Sequence, residues 1–198
     1  MIPELTKPPY MSTGIKRRIK KTLKYLQPKL NVVNASLTPN CRYFDAKILD
    51  VGQWNYLTEA INQEFKVKVD NTAGDLDANF TIPRNDYNVI IYSHTIEHQF
   101  SPLHTLKRLK RNLSEDGRIY IFAPSGTLPR FLVGKGHYHE INEYCMGLLI
   151  RRAGLRLIST TKQRVYGAWW NYLLGVRPLL RLIITILSAN TIIYEVKK

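Results

Sequence analysis

The sequence predicts an α/β fold, a mostly parallel sheet covered by helices on both faces with one antiparallel strand near the C-terminus. Two observations carry this. Apolar stretches of strand length alternate with stretches of helical periodicity, the pattern of strand–helix–strand units. The final strands are joined by a long irregular connection instead of a crossover helix, which suits one antiparallel member.

Taken in order, Ala46 to Gly52 reads as a short buried strand ending at a glycine turn. Thr58 to Phe65 reads as a helix, and Lys66 to Val69 as a second strand stopping at Asp70. Tyr87 to Tyr92 is a third strand; Pro102 to Leu113 then places Leu103, Leu106, Leu109 and Leu113 at helical spacing. Asp116 and Gly117 form a turn into a fourth strand, Arg118 to Ala123, with Ile119, Ile121 and Ala123 on one face and Tyr120 and Phe122 on the other. Asn142 caps a helix that runs to Ala153, and Gly154 stands where a helix end favours a left-handed residue. Leu155 to Thr160 and Thr191 to Val196 finish as strands. Residues 163–190 are the least regular and read as an insertion over one end of the sheet.

A chain of 198 residues, 44% hydrophobic, supplies one core. Residues 1–45 read as a basic N-terminal helical extension and 46–198 as the domain. Cys41 and Cys145 are the two cysteines, and the second falls in a helix expected to face the core, so no disulfide framework is indicated. Without an apolar leader at the start, the reading is cytoplasmic. Leu173 to Leu187 is interrupted by Arg177, Pro178 and Arg181 and falls short of the ~20 residues that span a bilayer.

The net charge of +14 is uneven. Met1 to Leu30 holds eight Lys and Arg against one acid, whereas Asp45 to Asp77 holds seven acids against three bases. Basic surface therefore flanks an acidic middle. Ile15, Ile19, Leu23 and Leu26 share a helical face among cations, which describes either a solvated helix laid on the domain or one that docks an anionic lipid surface or polyanion.

Four segments together resemble class I S-adenosylmethionine (SAM) dependent methyltransferases, a Rossmann-like fold, over Ala46 to Val196. Ile48-Leu49-Asp50-Val51-Gly52 is similar to that family's first strand and cofactor turn. Asp70, eighteen residues after Gly52, stands where the family places an acid on the cofactor ribose. Asp86 to His98, followed by Pro102 and Leu103, is similar to the family's fourth strand and its loop, and Leu109 to Pro124 to the helix, turn and strand that follow. His137-Tyr138-His139-Glu140, with the helix end at Ala153-Gly154-Leu155, is similar to the next helix of small-molecule members.

The resemblance implies SAM as cofactor, with Asp50, Gly52, Gln53, Asn55, Asp70, Asn71, Asp75, Leu76, Ser93, His94, Glu97 and His98 around it. Where the family has Gly-x-Gly-x-Gly, this chain has Gly52-Gln53-Trp54-Asn55-Tyr56. Trp54 and Tyr56 either turn outward, leaving Gln53 and Asn55 on the methionine part, or fill the space SAM needs. Asp70 and Gly74-Asp75-Leu76-Asp77 come so close together that the usual third strand is expected to be missing.

His94-Thr95-Ile96-Glu97-His98 also matches H-x-x-E-H, a zinc signature. That motif needs a helix, whereas these residues follow a strand, so no metal site is expected. Lys7-Pro8-Pro9-Tyr10 differs from the Asn-Pro-Pro-Tyr of base-nitrogen methyltransferases, because lysine offers no acceptor for an amino group, and the segment precedes the first strand. A nucleic-acid substrate is accordingly disfavoured. His137 and His139 are candidate bases for an acceptor hydroxyl.

The sequence thus predicts methyl transfer to a small-molecule or lipid-linked acceptor, with possible peripheral contact to an anionic membrane. The alternative is a non-catalytic module docking an anionic surface through Lys16 to Lys24. Trp169, Trp170, Tyr172 and the leucines and isoleucines up to Leu187 read as packing on the sheet, or, if exposed beside Arg164, Arg177 and Arg181, as a membrane face. The oligomeric state is not fixed by the sequence.

Overall fold

The computed structural model describes residues 12–37, 45–125, 136–139, 141–165, 175–187 and 190–198. Its central sheet has six strands in the order β2-β1-β5-β6-β8-β7. These are β1 (Ile48–Asp50), β2 (Asp70–Asn71), β5 (Tyr87–Ser93), β6 (Leu113–Pro124), β7 (Arg156–Gln163) and β8 (Thr191–Lys197). β1 pairs parallel with β2 and β5, and β5 parallel with β6, whereas β8 runs antiparallel to both β6 and β7. The fold class is therefore the expected one. The missing third strand is also observed, since β2 is the sheet edge and the chain passes directly into a separate hairpin of β3 (Ala73–Gly74) and β4 (Phe80–Thr81).

Alternation along β6 divides the core as the side-chain period of a strand requires. Ile119, Ile121 and Ala123 join Leu106 and Leu109 of α3 (Pro102–Asn112) and Met146 and Ile150 of α4 (Glu143–Arg152) on one face. Tyr120 and Phe122 join Leu57 and Ile61 of α2 (Tyr56–Phe65) and Leu26 and Leu30 of α1 (Thr13–Leu37) on the other. Tyr25 of α1 packs edge-on against both Tyr120 and Phe122. The basic N-terminal segment thus contributes fully buried leucines to the sheet's cover while Lys16, Lys20 and Lys24 stay exposed.

Several local expectations differ from the structure. The second strand begins at Asp70 instead of ending there, because Lys66 takes a left-handed conformation at the end of α2 and the amide of Val69 is spent on Asn62 Oδ1. Asp116-Gly117 is an irregularity inside β6, where the register jumps between the Tyr87–Leu113 and Val89–Arg118 pairs. Cys145 is exposed, since α4 turns Met146 and Ile150 inward. Within residues 163–190 a regular helix occurs, α5 (Val176–Leu187), whose Leu179 and Ile183 are exposed instead of packed on the sheet. Cys41, the Lys7–Tyr10 segment, Glu140, Trp169, Trp170 and Tyr172 lie outside the described residues. Among the described residues no helix is long and apolar enough to cross a membrane.

Candidate functional site

Between β1 and β5 the connections leave in opposite directions, to β2 on one side and β6 on the other, so the strand tips there form the crevice where open α/β sheets bind ligands. Two turns line it. The first, after β1, is tied to its neighbour by Val51 N–H donating to Ile91 O (2.8 Å), and Gly52 N–H donates to Thr72 Oγ1 (2.8 Å). Gly52 has φ +118°, a conformation that side chains resist, and a Cβ there would meet only Thr95 Oγ1, at 3.8 Å. Trp54 and Tyr56 pack on each other with centroids 6.3 Å apart, and neither comes within 4 Å of that Cβ position. Neither ring therefore packs directly over Gly52.

Asp50 underlies this turn. Its Oδ2 accepts from Asn55 Nδ2 (3.0 Å) and Thr58 Oγ1 (2.7 Å). Asn55 is also the N-cap of α2, its Oδ1 accepting from the amides of Leu57 and Thr58. Asn71 Nδ2 donates to Asp50 O and Thr58 Oγ1. Burial pushes the Asp50 carboxyl up to about 6, against the hydrogen bonds from Thr58 and Asn55 that favour its ionised form. Asp50, Asn55 and Asn71 therefore build the turn, and Gln53 and Asn55 are exposed on it.

The second turn follows β5. His94 adopts φ +51°, Thr95 Oγ1 donates to Ser93 O (3.1 Å), and Ile96 to His98 form a 3-10 turn. His94 Nδ1 lies 3.4 Å from Glu97 Oε1. Burial holds His94 below its ordinary value, helped by the charges of Arg18 and His137. Burial works against ionisation of Glu97 too, but its contacts with His94 more than offset this and hold it below the ordinary carboxylate range.

The structure brings His137 to this turn. Tyr138 and His139 amides both donate to Glu97 O (2.9 and 3.2 Å), and His98 Nδ1 stands 2.8 Å from Gly136 O. The rings of His98 and His137 meet edge-to-face, 4.8 Å between centroids. His139 instead points to a cleft of about 610 Å³ between the starts of α3 and α4, lined also by Phe100, Leu103, Ile141 and Leu149 and containing no residue of the Gly52 turn.

Other expected residues have partners within the protein. Both Asp70 oxygens are engaged: Arg84 Nε is 2.6 Å from Oδ2, Arg84 Nη2 is 3.0 Å from Oδ1, and Tyr87 Oη donates to Oδ2 (2.9 Å). Asp75 is exposed and accepts from the Asp77 amide, and Leu76 O accepts from Thr105 Oγ1. Asp77 accepts from the amides of Phe100 and Ser101 ahead of α3. Thr58, Thr72, Arg84 and Tyr87 escaped the sequence reading. A Thr two residues after Asp70 was a usable hint, but nothing in the sequence ties Arg84 to Asp70.

The architecture is that of SAM-dependent methyltransferases. No protein-family model matches the chain, and no curated protein sequence does. Among solved structures, a SAM-dependent methyltransferase from Archaeoglobus fulgidus aligns with TM-score 0.59 at 13% identity, over 92% of this chain and 96% of that one. Phosphoethanolamine N-methyltransferase 2 of Haemonchus contortus, in complex with phosphomonomethylethanolamine and S-adenosylhomocysteine, gives 0.60 at 14% identity, over 85% of this chain and 52% of that one. The 1,6-didemethyltoxoflavin-N1-methyltransferase of Burkholderia thailandensis, with its substrate and S-adenosylhomocysteine bound, gives 0.51 at 13% identity, over 97% and 92%. At these identities the likeness defines the fold.

Proposed function

We propose that this chain is a SAM-dependent methyltransferase acting on a small-molecule or lipid-linked acceptor. The observation that carries it is the glycine turn at Gly52, φ +118°, which ends β1 at the sheet's switch point. SAM supplies an electrophilic methyl on a sulfonium, and the buried Asp50 and half-buried Asp70 favour a cation there. Gly52 and Gln53 lie against the methionine part, with Asp50, Asn55 and Asn71 fixing their turn. Asp70 takes the ribose hydroxyls after exchanging Arg84, whose side chain is 46% exposed. Asp75 and Leu76 flank the adenine, and Ser93, His94, Glu97 and His98 form the mouth. His139, on the wall of the adjoining cleft, is the proton acceptor for a substrate entering there. Isothermal titration with S-adenosylhomocysteine tests this: one site is expected, weakened at least tenfold by Asp70→Ala. No binding to the purified chain removes the reading.

A second reading, docking to an anionic membrane, is favoured by α5. Val176, Leu179, Ile183 and Ile186, spaced at helical periodicity, are 73, 47, 43 and 55% exposed. It complements a lipid-linked acceptor. Sedimentation with phosphatidylglycerol vesicles is expected to carry the chain down, and Ile183→Glu with Ile186→Glu to release it. Binding unchanged by both substitutions rules out α5 as the contact.

A further inference from the structure

We infer that Glu97, His98 and His137 form a binding site for a zinc-type divalent cation at the mouth of the crevice. Each offers one donor atom, and these atoms all lie within 4.8 Å of one another. Small side-chain rotations bring such a set onto a single ion with bonds of ~2.0–2.2 Å. Glu97 is 3% exposed, and its Oε2 is enclosed without any hydrogen-bond donor, while Oε1 faces His94. A buried carboxylate oxygen with no donor is costly, and a cation is the partner that removes the cost.

The imidazole of His98 is set up for the same role. Its Nδ1 faces Gly136 O, and a carbonyl only accepts, so Nδ1 carries the proton and Nε2 keeps its lone pair. This second contact is how ligating histidines are usually fixed in tautomer and orientation. Gly136, at φ +90°, turns its carbonyl to that ring, and the amides of Tyr138 and His139 clamp the His137 segment onto Glu97 O. The segments are thus joined by backbone before any metal arrives.

Two imidazoles with one carboxylate suit zinc, cobalt or iron, not the all-oxygen preference of magnesium or calcium. Three protein ligands also leave a coordination position open, as at catalytic and not structural sites. If the methyltransferase reading holds, that position would orient the acceptor and make a bound hydroxyl more acidic, easing the proton transfer assigned above to His139.

The test titrates the chelator-treated full chain, without SAM, with Co²⁺ followed by visible absorption and with Zn²⁺ followed by calorimetry. One equivalent is expected, with the intense bands of low coordination number and a rise in Tm. His98→Ala and His137→Ala should each weaken binding by ~10–100-fold or more, whereas His104→Ala, elsewhere on the surface, should not. The two site histidines are exposed or half-buried, so the fold is expected to survive their loss, and far-UV circular dichroism checks it. No bound equivalent, or undiminished binding by the folded His98→Ala/His137→Ala double variant, overturns the site. Titration of the same samples with S-adenosylhomocysteine reads the methyltransferase proposal separately.

Discussion

Asp50 and Glu97 are both buried carboxylates at the tips of neighbouring parallel strands, yet their surroundings are opposite in kind. Asp50 is served by Asn55 and Thr58, neutral donors from the next few residues of its own chain. Glu97 has a histidine beside one oxygen and no hydrogen-bond donor on the other, with the Arg18 charge as its nearby cation. The first arrangement is closed and explains a backbone turn. The second is incomplete within the described protein, and an incomplete buried charge marks a place for a ligand. The difference separates an acid whose bonds all serve the fold from one that still lacks a donor.

The comparison breaks most visibly through pH. Asp50 is raised to about 6 in the fold, from an ordinary 3.8, so the folded protein binds this proton more tightly than the unfolded chain. The sign follows from linkage: the ionised acid costs stability above pH 6, and the cost disappears as pH falls through 6 towards 4. The interval corresponds to roughly 3 kcal/mol for a fully buried group. Urea denaturation of the wild type and Asp50→Asn between pH 4 and 7 should show the wild type gaining that much more on acidification. Parallel curves would mean that Asp50 is neutral or solvated in the fold.

Glu97 gives the next effect. His94→Phe removes the donor to Oε1 and leaves the carboxylate alone, at a cost of about 2 kcal/mol by denaturation at pH 7. Added Zn²⁺ should restore part of this loss, because the cation replaces the missing partner. Asp50 has no such rescue: Thr58→Val, which removes a hydroxyl donor, should lose a similar amount with no response to metal. Identical responses of the two variants to Zn²⁺ would erase the distinction.

The sheet was legible because its signals are periodic. Ile119, Ile121 and Ala123 against Tyr120 and Phe122 sort onto two faces by the strand period alone, and Asn142 caps α4 through its side chain as its residue type suggests. The missing third strand was legible from the shortness of the Asp70 to Asp77 segment. The site was legible only where its parts are consecutive. His94 to His98 stood out as a zinc-like pattern and was discounted for want of a helix, whereas the structure also brings His137 beside Glu97 and His98, far along the chain, through backbone hydrogen bonds that carry no residue-type signal. The pairing of Asp70 with Arg84 and Tyr87 was hidden for the same reason, since it joins residues distant in the chain by contacts that no residue pattern announces.

The smallest stability effect belongs to that pair, and it sharpens the comparison with a third acid. Arg84 is largely in solvent, so Arg84→Ala should change stability by less than about 1 kcal/mol. Under the proposed function its effect on ligand binding is larger in proportion, because Asp70 would have to release the guanidinium before its two oxygens could accept ribose hydroxyls. Tyr87 still donates to Oδ2 in the variant and keeps the carboxylate in place. Calorimetry with S-adenosylhomocysteine should therefore show Arg84→Ala binding several-fold more tightly than the wild type and Asp70→Ala more weakly. Weaker binding by Arg84→Ala would instead make the ion pair a structural clamp like the Asp50 network and remove Asp70 from the cofactor's contacts.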